Sequence, residues 1–399
     1  MGWPASHSLT ARATTPPLTA TYAPGTTYVP IAPVRLVDTR TSPAGPLSSG
    51  VTRTFAVAGA AGIPANAVAI TGNLTAVSPT AAGWIGLTTS PSVVATTSAL
   101  NVPAGDTRAN GITMTLGDDG RVAAVFNGGS GKTHLIIDVT GYFIESSAGA
   151  TFTALGPTRV LDSRSGTGGY SSPFLSGTPR RVQLGGVAGI PTDAVAVSGN
   201  LTVTGQTAPG YVSMTTAPTS TPAVSTINIP RGDIRANGLS IKLNAAGRAH
   251  LVYIGGTPGV ATAELVFDVT GYYRAGTGGL RYYPLDPRRI FDTRFANSPS
   301  LQAGVPRRIN VIASGTIPDD VVAVAGNVTV VGQTQGGYLS ITSVSTTTPA
   351  TSTINFPLGD IRANNTVNAL DGAGRLWAIF KAPSGARTHL VVDVAGYFR

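Results

Sequence analysis

Cysteine is absent from the 399 residues, and lysine, histidine and acidic side chains are scarce: three Lys, four His and 18 Asp plus Glu. Without thiols, neither disulfides nor a thiolate metal site holds the fold, and the redox compartment leaves no trace in the sequence. Four His are too few to suggest a metal centre. No apolar run reaches the roughly 18 residues that a spanning helix needs, so no membrane span is expected. The opening stretch, Met1-Gly2-Trp3-Pro4-Ala5-Ser6-His7, shows no basic region followed by an apolar one, and no signal peptide is visible in it. Charged residues make up only 11% of the chain, too few for the polar faces of amphipathic helices.

Glycine and proline are plentiful instead, at 50 and 29 residues, with abundant Thr, Val and Ala. Such a composition suits short strands joined by tight turns. The chain is organised by a stretch written three times: Asp138-Val139-Thr140-Gly141-Tyr142-Phe143, Asp268-Val269-Thr270-Gly271-Tyr272-Tyr273 and Asp393-Val394-Ala395-Gly396-Tyr397-Phe398. Each closes an apolar run, as a terminal strand does. Each copy opens on Arg-x-x-Asp-(Thr/Ser)-Arg, at Arg35, Asp38 and Arg40, at Arg159, Asp162 and Arg164, and at Arg289, Asp292 and Arg294. Between them come an Ile-Pro turn, an alternating strand around Asn73, Asn200 and Asn327, and a Gly-aromatic pair at Trp84, Tyr211 and Tyr338. A Gly-Asp-x-Arg-Ala-Asn motif follows, read as a turn: Asp106, Arg108 and Asn110, then Asp233, Arg235 and Asn237, then Asp360, Arg362 and Asn364. The middle sections align without gaps at a spacing of 127 residues.

The expected fold is therefore all-β: three tandem antiparallel β-sandwich domains, 28–144, 152–274 and 280–399, joined by short Gly/Ser-rich linkers. An extended N-terminal arm, 1–27, precedes them. It is rich in Thr, Pro and Ala without hydrophobic periodicity, so it is expected to order only by docking on a partner.

The four motifs in order, Arg35 to Arg40, Gly72-Asn73-Leu74-Thr75, Gly105 to Asn110 and His134 to Phe143, resemble a repeat of actinobacterial-type surface and secreted proteins that opens on a VDTR-like strand and closes on a DVxGYF-like one. The resemblance covers nearly everything after residue 27. It implies a β-sandwich module used as a surface appendage, often beside a separate catalytic domain, and it carries over no catalytic residue.

The recurring charges, Arg35, Asp38, Arg40, Asp106, Arg108 and Asp138 with their equivalents up to Asp268 and Asp393, fit two readings. Paired carboxylates can do hydrolytic work, as in a glycosidase. Asp and Arg set into apolar strands more often form buried pairs that fix strand register, and that reading is preferred. His134 and His389 match in position, but copy two has Glu264 there, which argues against a shared ligand or base. Asp118-Asp119-Gly120 is turn chemistry rather than a calcium loop. The sequons at Asn73, Asn200 and Asn327 lie in expected strands and are discounted, and Arg231-Gly232-Asp233 is an accident of the Gly-Asp turn. No cofactor is expected.

The net charge of +9 reflects 27 basic residues and sits mostly in copies two and three. A basic surplus could meet a polyanion, but no aromatics interleave the arginines to stack bases, so nucleic acid is not expected as a partner. The sequence points to a non-enzymatic structural or adhesive subunit of an extracellular assembly. The leading form is a virion-type decoration or fibre protein or a filament component, docked through its arm to neighbouring subunits or to further copies of itself. The alternative is a secreted cell-surface adhesin that binds carbohydrate or wall polymer.

Overall fold

The structure, a computed structural model, describes residues 25–295, 298–315 and 317–399. Copy one forms nine strands: β1 (Thr27–Asp38), β2 (Leu47–Ser48), β3 (Arg53–Ala56), β4 (Ala67–Val77), β5 (Gly83–Thr88), β6 (Leu100–Val102), β7 (Arg108–Thr115), β8 (Arg121–Asn127) and β9 (Lys132–Ile144). They build two antiparallel sheets. One runs β1-β9-β4-β7 with β2 paired to β9, and the other runs β3-β8-β5-β6. Copies two and three repeat the order as β10 to β18 (150–275) and β19 to β27 (282–398). The β7–β8 hairpin and its two equivalents each turn on a left-handed glycine, Gly120 (φ 70), Gly247 (φ 69) and Gly374 (φ 68), where a side chain would strain the backbone.

Each pair of sheets encloses its own apolar cluster. In copy one it includes Ile70, Leu74, Ile85, Ile112, Met114, Phe126 and Leu135, and matching clusters fill copies two and three. The architecture is thus an all-β assembly of antiparallel sandwiches.

The alternating strand is buried on both of its sides. Along β4 every residue from Ala69 to Ala76 is buried, and the same holds for Arg108 to Met114 on β7. The side of β4 that carries Thr71, Asn73 and Thr75 is polar, yet a neighbouring copy covers it. Small polar side chains of this kind look the same in sequence whether water or another polar surface lies over them.

The three copies close on one another around a pseudo-threefold axis instead of lying apart on their linkers. Their opening strands pair in a cycle. Tyr28 of β1 lies opposite Ala150 of β10 (Ala150–Asp162), Phe152 bridges Leu280, and Tyr282 of β19 (Tyr282–Asp292) bridges Thr26. Six buried aromatics from the opening and closing strands then form a ring. Proceeding from Tyr28 through Tyr273, Phe152, Phe398, Tyr282 and Phe143 back to Tyr28, successive centroids stand 4.2, 4.9, 4.4, 5.0, 4.3 and 5.0 Å apart. Tilted aromatic pairs at such separations attract beyond the area they bury.

The linkers are pinned as well. Gly149 N–H donates to Thr27 Oγ1 at 3.0 Å, and Gly279 N–H to Thr151 Oγ1 at 3.1 Å. Strand β1 starts at Thr27 and Thr26 already pairs with Tyr282, so the fold takes in residues 25–27 of the expected arm. The remainder of that arm, 1–24, lies outside the described residues.

Elsewhere on the axis the edge strands β7, β16 (Arg235–Lys242) and β25 (Arg362–Ala369) converge. Gly111 and Gly238 allow the approach: a Cβ on Gly111 would fall 1.8 Å from the Gly238 carbonyl oxygen, and one on Gly238 1.8 Å from that of Asn365. Overpacking of this kind costs about 1–3 kcal/mol or more. Gly238→Ala should therefore lower the unfolding free energy by at least that much, whereas Asn365→Gly should be tolerated. A Gly238→Ala protein that unfolds like wild type in urea would show that the edges are not this close.

Candidate functional site

The recurring polar residues separate into two constellations. The first ties the ends of each copy together. Arg35 and Asp138 are register partners on β1 and β9, and the guanidinium grips the carboxylate with Nε at 2.9 Å and Nη2 at 3.3 Å. Arg159 holds Asp268 and Arg289 holds Asp393 at the same distances. The closing carboxylates are buried, with side chains only 2–3% exposed. On the far side of each Asp stands the strand asparagine, Asn73, Asn200 or Asn327.

The second arginine of each opening motif does a different job. Arg40, Arg164 and Arg294 fold back in bidentate fashion onto Asp38, Asp162 and Asp292, two residues earlier. The first arginine also reaches these acids through Nη1, at 3.5, 3.2 and 3.2 Å. Burial pushes the Asp138, Asp268 and Asp393 carboxyls up, against the pull of their arginines. Asp38, Asp162 and Asp292 are held below the ordinary carboxylate value, foremost by the hydrogen bonds from Arg40, Arg164 and Arg294.

The second constellation corrects the reading of Gly-Asp-x-Arg-Ala-Asn as a turn. Asp106, Asp233 and Asp360 do sit in the turns that precede the edge strands. Arg108 and Asn110, Arg235 and Asn237, and Arg362 and Asn364 are on the strands themselves and reach into a neighbouring copy. Arg235 of copy two binds Asp106 of copy one at 2.5 Å, Arg362 of copy three binds Asp233 of copy two at 2.8 Å, and Arg108 of copy one binds Asp360 of copy three at 2.9 Å. Each arginine also holds the Asp of its own motif, at 2.9, 2.7 and 2.5 Å for Arg108, Arg235 and Arg362. The result is a closed ring of three Arg and three Asp in which every guanidinium, 4–6% exposed, touches two carboxylates. Burial works to raise Asp233, but Arg362 and Arg235 outweigh it and hold the carboxyl below its usual value.

The asparagines make a second ring. Asn237 Oδ1 accepts the N–H of Gly111 at 2.6 Å, Asn364 Oδ1 that of Gly238 at 2.7 Å, and Asn110 Oδ1 that of Asn365 at 2.8 Å. Their amide nitrogens donate onward to Asn73, Asn200 and Asn327 at 2.9, 2.8 and 3.0 Å. Those three in turn donate to the carbonyls of Ser225, Ser352 and Ser98, each in the adjoining copy. The sequon asparagines are therefore interface residues. Sequence reasoning placed them in strands and missed the junction. Their 127-residue spacing marked a shared environment, but no spacing within a copy shows what lies across it.

His134 and His389 contact Thr39 and Thr293 through Nδ1 at 3.2 and 3.1 Å, and Glu264 takes the same place in copy two by accepting from Ser163. Among the described residues no group of three His, Asp or Glu stands ready to hold a metal, and no helix is long and apolar enough to cross a membrane. No protein-family model matches the chain, and no curated protein matches it.

Removing one partner of a buried pair strands the other, at about 3–5 kcal/mol. Asp268→Ala, within copy two, and Arg362→Ala, between copies two and three, should each lose that much in chemical denaturation; wild-type midpoints would show the pairs to be incidental.

The pH response follows from the lowered acids. A folded-state pKa below the unfolded value, roughly 3.9 for Asp, contributes stability that is present above that value and lost as pH falls through the folded one. Asp38, Asp162, Asp233 and Asp292 all act in this sense, while Asp138, Asp268 and Asp393 act in the opposite one. Urea midpoints should hold steady from about pH 5 to 8 and drop below about pH 4; a midpoint that rises on acidification would mean that the raised carboxyls dominate.

Proposed function

We propose that this chain is a non-enzymatic structural or adhesive subunit of an extracellular assembly, a virion-type decoration or fibre protein or a filament component, docked through the segment before residue 25. The observation that carries the reading is the closed pseudo-threefold ring. A single chain that folds into a trimer-like block offers nearly equivalent faces around one axis, which suits a threefold or quasi-threefold position in a larger array. The closing Asp with its opening Arg, and the axial Arg/Asp ring, support it too, because they fasten strands and copies together.

The described chain begins in a suitable place. Gly25 lies against Tyr283 and accepts from Arg281 Nη1 at 3.1 Å, beside the strand cycle that joins the three opening strands. Removing residues 1–24, and not Thr26 or Thr27, should leave the melting transition intact and abolish incorporation when a tagged chain is co-purified with the assembly from the producing cells. Incorporation equal to that of the full chain would overturn docking through this segment.

A further inference from the structure

The junction between copies two and three holds an open groove of about 280 Å³. Copy two lines it with Arg164, Thr202 and Thr204, and copy three with Tyr338, Ser352 and Asn355. Its polar groups are set in fixed directions with donors to spare. Ser352 Oγ donates to Asn355 Oδ1 at 3.0 Å, which orients the amide and leaves Nδ2 without a partner among the described residues. Arg164 binds Asp162 through Nε and Nη2, so its Nη1 is unused, and its side chain is 50% exposed. Thr202 Oγ1 is buried beside them with no hydrogen bond.

The charges in the groove cancel, Arg159 against Asp268 and Arg164 against Asp162. A balanced, donor-rich wall with an aromatic ring does not select a polyanion. It suits a ligand that is dense in oxygen acceptors, uncharged, and able to lay a C–H face on a π face. The volume lies near the lower end of small-ligand sites, roughly 300 to 1,000 Å³. A second groove of about 390 Å³ flanks the same loop and shares Pro349, Ala350 and Thr351 with the first, so a chain of units can follow the loop.

The same residue types stand at the equivalent positions of the other copies: Tyr211, Ser225 and Asn228, and Trp84, Ser98 and Asn101, at the 127-residue spacing, with Arg40 and Arg294 as the counterparts of Arg164. There too the serine hydroxyl fixes the asparagine, at 3.1 Å in both cases.

We propose that this groove between copies two and three is a binding site for a neutral glycan, one pyranose unit packing on Tyr338 while Asn355 and Arg164 donate to its hydroxyl and ring oxygens. The proposal deepens the adhesive side of the function proposed above and rests on it for its setting.

The test uses the full chain on a printed array of neutral hexose and N-acetylhexosamine oligosaccharides beside uronic-acid ones, at physiological salt. Calorimetry follows, with the best neutral oligosaccharide. The expected result is neutral-glycan binding at one site per chain, with Tyr338→Ala weakening it about tenfold or more. If Tyr338→Ala fails to melt cooperatively, Asn355→Ala serves in its place, with the same loss expected. No neutral oligosaccharide bound, binding unchanged in the variants, or capture of acidic glycans alone would each overturn the proposal. A chain that joins its assembly normally but binds no neutral glycan would refute this inference and leave the assembly reading standing.

Discussion

A sheet edge exposes a row of unpaired N–H and C=O groups, and three such edges meet at the centre of this molecule. Burying them unpaired would be costly, since each unsatisfied group carries a penalty of about 1–3 kcal/mol. The solution is a side chain that imitates a backbone. Asn110, Asn237 and Asn364 offer their Oδ1 atoms to the N–H groups of Asn365, Gly111 and Gly238, each asparagine serving the edge of another copy. Everything else at the axis follows from that approach. It requires glycine where the backbones nearly touch, and it places the Arg/Asp turns close enough to close their ring.

That ring disposes of buried charge in a way a single pair does not. A lone buried ion pair often fails to recover its desolvation. Here each guanidinium is shared between two carboxylates and also donates to backbone carbonyls on both sides of the junction, such as Asn228 and Thr107 for Arg235. The charge-assisted bonds are multiple and their geometry is forked, which is the arrangement that arginine rather than lysine can supply. The chain's 24 arginines against three lysines acquire a structural meaning at these positions.

Much of the fold was legible because its signals are local. The closing apolar run, the opening Arg-x-x-Asp-(Thr/Ser)-Arg strand and the hairpin glycines each depend on neighbours a few residues away. Even an arginine grip on Asp138 could be reasoned out, since a carboxylate in an apolar strand needs a cation. Which arginine would do it could not. The register decides the matter, setting Arg35 opposite Asp138 and leaving Arg40 beyond the end of β1, and register is invisible in the motif. The axial constellation was misread for a different reason. Gly-Asp followed by Arg has the composition of a turn, and Thr71, Asn73 and Thr75 have the alternation of a wetted strand. Both patterns serve equally well against a polar protein surface, and only the closed arrangement of copies says which surface is there.

Two of the three junctions are joined by a linker, and the third, between copies three and one, closes on side-chain and strand contacts of the same kind. Tethering makes that closure intramolecular, so the ring forms at any protein concentration. It also frees the copies from identity. Where copies one and two carry Gly111 and Gly238, copy three carries Asn365, and where copies one and three carry His134 and His389, copy two carries Glu264. A symmetric homotrimer must accept every substitution three times over, at the axis as on the rim. A trimer written as one polypeptide can change a single face and leave its siblings as they were, so its three sides are free to meet three different neighbours.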